Sequence, residues 1–317
     1  MSQLSSPSSL FGDLAVEVFA DAPIGPTTWY GIGGRADFLV KPLTVNALSS
    51  LMKRCRRSEI PIRVLGNGAN LLVADEGVDG IVVRLDDAGF REFKYNPSGE
   101  LNALKVMAGA DLAKTLMDST KRGLAGLEHL AGVPASIGGA IWMNAGGKYG
   151  CIGDSIRSVT CLTSAGEIVS YDKRELRFSY RKTNIPDPVI LSAVFEMEPS
   201  DPIALRTRVK EIFEFKKSTQ PLADHSAGCA FRNPIDPAKE ERVSAGKLID
   251  DSGLKGESIG GAMVSKQHAN FITTEPGATA TDVRRLLDLV RERVFAHCGI
   301  ELETEVVIWQ RDMDDKT

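Results

Sequence analysis

The period of apolar and polar residues changes several times along the chain, and each change marks an element. "RADFLVKPL" (35–43) reads as a strand, "TVNALSSLMKRCRRSEI" (44–60) as an amphipathic helix, and "PIRVLG" (61–66) and "GIVVRL" (80–85) as two more strands, a βαββ unit. "ALKVMAGADLAKTLMDSTKRGL" (103–124) passes from strand into helix. "SIRSVTCLTSAGEIVSYDK" (155–173) reads as a hairpin turning at Ala165-Gly166, and "VILSAVFEME" (189–198) as a strand. Past "EPSDP" (198–202) the pattern changes again. "PIALRTRVKEIFEFKKST" (202–219) is a charged helix, and "ATDVRRLLDLVRERVFAHCG" (280–299) is a second, capped by Thr279 or Thr281 and ended by Gly299. "LETEVVIWQ" (302–310) closes the chain as a strand. The order predicts an α+β protein with a loosely packed or disordered tail over 1–22 and segments at 23–85, 86–199 and 200–317.

Composition narrows the class. The 317 residues are 43% hydrophobic and 25% charged, ordinary for a globular enzyme with a sizeable core. A net charge of −4 argues against nucleic-acid binding, which wants a basic surface. No apolar run reaches the roughly 18 residues of a membrane helix, and "MSQLSSPSSLFGD" has no apolar signal region. The five cysteines, Cys55, Cys151, Cys161, Cys229 and Cys298, form no CxxC pair, and the four histidines fall at no ligand spacing, so no metal site is expected. The chain reads as cytoplasmic with reduced thiols. His225 lies four residues before Cys229, which leaves a Cys–His pair open.

Three glycine-rich segments stand in the first half: "YGIGGRAD" (30–37), "VLGNGANLLV" (64–73) and "GVPASIGGAIWMNAGG" (132–147). Glycine lets backbone approach a ligand closely and lets successive amides converge on an anion. None of the three is a GxGxxG turn opening a helix with an acid downstream, nor GxxxxGK[ST]. Each alone reads equally as a structural loop; together they suggest a phosphate-bearing cofactor.

The motifs in order resemble the UDP-N-acetylenolpyruvoylglucosamine reductase family: "TTWYGIGGRADFLVKP", "RVLGNGANLLVADEGVDGIVVRL", "GLEHLAGVPASIGGAIWMNAGGKYG", "FSYRKTN", "GCAFRNP...AGKLIDDSGLKG...IGGAMVSKQHANFI" and "GIELETEVVIWQ". The resemblance runs from Thr27 to Trp309. It implies a two-part FAD-binding domain of the PCMH/vanillyl-alcohol-oxidase type over 23–85 and 86–199, and an α+β substrate domain over 200–317. FAD is held non-covalently, NADPH is the co-substrate, and a UDP-sugar bearing an enolpyruvyl ether is reduced in peptidoglycan precursor synthesis. Implied FAD contacts are Gly66, Asn67, Gly68, Ala69, Asn70, Leu71, Gly132, Pro134, Ser136, Gly138, Gly139 and Asn144. Implied substrate contacts are Asn233, Lys247, Lys266 and Gln267. Only "KTNIPDP" separates Arg181 from the next strand, as in the shorter members without a tyrosine-bearing substrate loop. A monomer without membrane or nucleic-acid partners is expected.

By the same resemblance Arg181, Cys229 and Glu305 are catalytic. Adding hydride to the enol carbon C3 leaves carbanion character at C2, spread into the carboxylate. Fixed charge must meet it and a proton must reach C2. Arg181 matches the arginine that supplies charge, although an arginine in this setting also reads as a surface ion pair. Glu305 matches the motif's second glutamate; Glu303, two residues away on the same face of an extended strand, competes for the role. Cys229 stands where the family usually has serine. Its thiol, with a reference pKa near ~8.5, is a stronger acid than a hydroxyl and can donate the proton. A buried, inert cysteine is the plain alternative. Two other readings stay open: a flavin- or nucleotide-binding module with impaired catalysis, and an oxidase with a covalent flavin on His129.

Overall fold

A computed structural model describes residues 10–99 and 101–311. In chain order the principal elements begin with strand β1 (Val16–Pro23), β2 (Arg35–Pro42) and helix α1 (Val45–Arg57). Strands β3 (Ile62–Val64), β4 (Leu71–Val73), β5 (Val78–Val83), β6 (Phe93–Tyr95) and β7 (Ala103–Met107) follow. Then come α2 (Leu112–Lys121), α3 (Ile137–Trp142), β8 (Ile156–Leu162), β9 (Ile168–Asp172), β10 (Phe178–Ser179), β11 (Lys182–Thr183) and β12 (Val189–Glu196). The last third holds α4 (Pro202–Thr219), α5 (Ala245–Asp251), β13 (Ser258–Ile259), β14 (Ala262–Val264), β15 (Ile272–Thr274), α6 (Ala280–Cys298) and β16 (Val307–Trp309). The content is mixed α+β, as the sequence pattern requires.

Two compact units result, each built from separated stretches. Among the described residues, one comprises 10–20, Phe38–Asn67 and Gly80–Glu214; the other comprises Asp21–Asp37, Gly68–Asp79 and 215–311. The three consecutive segments expected from the sequence are therefore not the units that pack.

In the first unit a five-stranded antiparallel sheet runs β9-β8-β12-β7-β6. Its hairpin turns at Gly166, whose φ of +72° suits glycine, with Thr163 accepting from its N–H at 2.9 Å. Leu104, Val106, Val159, Cys161, Ala193 and Phe195 are buried on this sheet. They share one core with the apolar face of α1, namely Leu48, Leu51, Met52 and Cys55. Strand β3 pairs in parallel with β5, Ile62 opposite Ile81.

In the second unit α6 carries the core. Val283, Leu286, Leu287, Val290 and Val294 recur at helical spacing and are buried. Thr279 caps the helix, its hydroxyl accepting from Asp282 N–H while the Asp282 carboxylate accepts from Thr279 N–H. Asp75 adds a second acceptor, taking the N–H groups of Ala280 and Thr281 at 2.8 and 2.9 Å. Gly299 ends the helix in the left-handed region. Strand β16 pairs in parallel with β4, Val307 opposite Leu71.

Two expectations are corrected. Residues 10–22 are not a loose tail: Leu10 and Phe11 are buried in the first core, and Val16–Pro23 is a strand. The alternation in "VEVFADAP" is that of a strand, and its mostly exposed side chains suit a strand at the end of the sheet order. Residues 1–9 lie outside the described residues. The closing strand is shorter than "LETEVVIWQ" suggests. Only Val307–Trp309 is regular, and residues 301–306 hold a single isolated bridge, between Thr304 and Phe231.

Candidate active site

Within the first unit, two of the glycine segments meet around one hydroxyl. Ser136 caps the short helix α3, its Oγ accepting from Gly139 N–H at 3.3 Å. A Cβ on Gly66 would stand 2.6 Å from that Oγ, and one on Gly139 3.2 Å from it. Any side chain at Gly66 would expel the hydroxyl, so both loops keep bare backbone where they touch. A Cβ on Gly138 would likewise press on Ala108 at 3.0 Å. The segment is fixed from below, Ile137 and Gly138 donating to the carbonyls of Ala110 and Ala108. Two bare, braced loops are what a dinucleotide's diphosphate needs, and FAD fits the residues present: Gly66, Asn67, Gly132, Pro134, Ser136, Gly138 and Gly139 lie on them.

Asn144 also has a structural task. It is buried with φ of +41°; its Nδ2 donates to Ser179 O at 2.8 Å and its Oδ1 accepts from Gly153 N–H at 3.2 Å. It thereby holds the hairpin β10–β11 that carries Arg181. Arg181 sits at the tip of that hairpin with φ of +55°, an unfavourable backbone state for a residue with a Cβ. Its Nη1 donates to Gly146 O at 2.9 Å, and the guanidinium lies 5.2 Å from the Tyr180 ring centre. Backbone strain held by surrounding structure clusters at functional positions. Gly146 belongs to the third glycine segment, so Arg181 and that loop are tied together.

The second unit gathers the other two catalytic candidates. Phe231 forms an antiparallel bridge with Thr304, while Cys229 bridges Phe271 on the other side. Ala230 is the centre of this three-chain arrangement: its N–H donates to Asn270 O at 2.7 Å and its carbonyl accepts from Glu305 N–H at 2.8 Å. Cys229 and Glu305 are thus on adjacent chains in fixed register, one residue apart. Gly228, at φ of +73°, brings the chain into Cys229 through a turn that a larger residue resists. Asn70 Nδ2 donates to Glu305 O at 3.2 Å and Asn70 O accepts from Val307 N–H. Asn70 and Leu71 therefore grip the Glu305 segment, and Leu71 is buried in that pairing. Gly68, with φ of +66°, lies against Thr28, and Ala69 follows it in the same connection.

The two candidate glutamates are placed differently. Glu303 is exposed and pairs with Arg232 at 2.7 Å, whereas Glu305 is 8% exposed. The two do not share one environment, because the segment is not a regular strand. His225 Nδ1 lies 3.3 Å from Trp29 O, and its backbone pairs with Thr274. His129 Nε2 is 3.1 Å from Cys151 O. Among the other thiols, burial pushes Cys55 up to about 11 and Cys161 up to about 12. Burial and the Asp154 carboxylate, 3.1 Å away, also raise Cys151.

The substrate candidates all lie in the second unit but are differently placed. Asn233 Oδ1 accepts from Ala245 N–H at 2.9 Å, tying it to the start of α5. Lys247 is exposed and pairs with Asp251 at 2.8 Å; Gln267 Nε2 donates to Lys217 O; Lys266 is exposed beside Gly256. The residue that the sequence reading missed is Asn270, which is buried and holds the Cys229 segment.

No helix among the described residues is long and apolar enough to cross a membrane. Residues 36–172 match the family model of an FAD binding domain, so FAD is the cofactor. Residues 220–309 match that of the C-terminal domain of UDP-N-acetylenolpyruvoylglucosamine reductase. The protein of that name from Heliobacterium modesticaldum is 40% identical over 88% of this chain and 86% of its own. The one from Moorella thermoacetica is 37% identical over 93% of this chain and 94% of its own. The crystal structure of the Thermus caldophilus reductase superposes with a TM-score of 0.77 at 35% identity, covering 93% of this chain and 98% of that one. The chain belongs to the UDP-N-acetylenolpyruvoylglucosamine reductase family.

Proposed function

We propose that this FAD-dependent oxidoreductase reduces the enolpyruvyl ether of UDP-N-acetylglucosamine enolpyruvate to the lactyl ether of UDP-N-acetylmuramate, with NADPH as reductant, as a cytoplasmic monomer. The observation that carries the reading is the fixed register of Cys229 and Glu305 through the Ala230 peptide. Bound FAD supplies the hydride transfer from NADPH to C3 of the enol. The chain's own residues handle the charge and the proton. Arg181, permanently cationic, stabilises the negative charge that grows on the substrate carboxylate as C2 becomes carbanionic. Glu305 assists the same enolate-like state and the placement of the proton. Cys229 Sγ–H gives its proton to C2, the S–H bond breaking as the C–H bond forms, and the thiolate recovers a proton from solvent. Asn233, Lys247, Lys266 and Gln267 bind the diphosphate and carboxylate ends of the substrate, lysine acting as a point charge. Lys247 does so by leaving Asp251, an exposed pair of little intrinsic strength.

Purified protein is expected to be yellow, to release FAD on denaturation, and to oxidise NADPH only when the enolpyruvyl nucleotide sugar is added. NADPH oxidation indifferent to that sugar, or a colourless protein that takes up no added FAD, would refute the assignment.

A further inference from the structure

We propose that Asn270 is a positioning residue that sets the place of the Cys229 thiol; the inference rests on the reading of Cys229 as proton donor. Three hydrogen bonds run from this one residue to the two residues after Cys229. Its carbonyl accepts from Ala230 N–H at 2.7 Å, its Oδ1 accepts from Phe231 N–H at 2.9 Å, and its Nδ2 donates to Phe231 O at 2.8 Å. The side-chain amide thus does for Phe231 what the peptide of a neighbouring strand would do, meeting both a donor and an acceptor. The amide has one orientation, because turning it over would set two donors face to face and two acceptors face to face. Asn270 is 3% exposed, so these bonds are made out of water, where leaving one unmade is costly.

The clamp is braced in turn. Asn270 N–H donates to His268 Nδ1 at 3.2 Å, and the His268 ring packs edge-on to Phe271 at 4.9 Å. Phe271 is the bridge partner of Cys229 itself. Burial holds His268 below its ordinary value, which keeps Nδ1 an acceptor. Before Cys229 the chain passes through Gly228 in the left-handed region, and His225 pairs with Thr274. Asn270 holds the two residues after Cys229 on one side, while Glu305 N–H on Ala230 O holds the other side.

The test is a double-mutant cycle on the holoenzyme, read as single-turnover reoxidation of NADPH-reduced flavin by the enolpyruvyl nucleotide sugar. Asn270→Ala is expected to slow reoxidation about 10²-fold, the cost of a misplaced reacting group, while flavin reduction by NADPH keeps its rate. In a Cys229→Ala background the same change is expected to cost less than about threefold, because a residue that works through the thiol has nothing left to position. Equal losses in both backgrounds, or no loss in the native one, would overturn the inference. A Cys229→Ala corner that reoxidises at the native rate would sink the proton-donor reading and the inference together. Should Asn270→Ala fail to accumulate as folded flavoprotein, Asn270→Asp serves in the same cycle. It keeps the acceptor for Phe231 N–H and removes the donor to Phe231 O, and the same two outcomes decide.

Discussion

Arg181 and Glu305 show how far single residues can be read from sequence. Their motifs point to them, yet the reason they differ from their neighbours is three-dimensional. Arg181 carries a left-handed backbone at a hairpin tip, and Glu305 is buried while Glu303 is paired in the open. Both are proposed to act on the enolate-like state, which arises only when substrate is reduced. Arg181→Ala and Glu305→Gln are each expected to leave flavin reduction by NADPH intact and to slow reoxidation by substrate about 10²–10³-fold, the usual cost of losing an oxyanion-type contact. Equal losses in both half-reactions, measured by stopped-flow absorbance, would mark them as structural. Asn270 was not legible at this scale. Its side chain satisfies a backbone 39 residues away, and a buried amide in "QHANF" gives no periodic sign of that.

At the scale of elements, the longer helices α1, α2, α4 and α6 were legible from their periods, whereas the short α3 and α5 were not read as helices. The helix α6 was readable to Gly299 with its cap left between Thr279 and Thr281, and the structure chooses Thr279 through its reciprocal bonds with Asp282. Thr279→Ala is expected to cost about 1 kcal/mol of stability in denaturant unfolding. The pH dependence has a definite sign. Hydrogen bonding from Thr279 N–H lowers the Asp282 carboxyl below its ordinary value, against the opposing effect of burial. Its contribution is therefore complete above the ordinary carboxylate range and is lost as pH falls through the lowered value. Short strands were less legible. The three residues of β4 sit inside a glycine-rich segment, and only their pairing with β16 makes them a strand. The strand β1 was missed for the opposite reason: its alternation is visible, but its exposed residues resemble a solvated tail.

At the scale of the whole molecule, chain order proved a poor guide to what packs with what. The connection over 66–75 begins with Gly66 beside Ser136, then supplies Asn70 to the Glu305 segment and Asp75 to the start of α6. The last two contacts join residues more than two hundred positions apart, 235 for Asn70 and Glu305 and 205 for Asp75 and Ala280, and no local period encodes them. The account as a whole turns on the thiol in a place the family usually gives to serine. Its most direct test is single-turnover reoxidation of the NADPH-reduced holoenzyme by the enolpyruvyl nucleotide sugar, comparing native protein with Cys229→Ala and Cys229→Ser. The account expects all three to accept hydride from NADPH alike, the alanine variant to reoxidise at least about 10²-fold more slowly, and the serine variant to retain substantial activity. In the native protein reoxidation should fall as pH rises through the thiol's own pKa, because the thiolate has no proton to give, and the serine variant should lack that limb. Reoxidation and product formation by Cys229→Ala at the native rate would contradict the account.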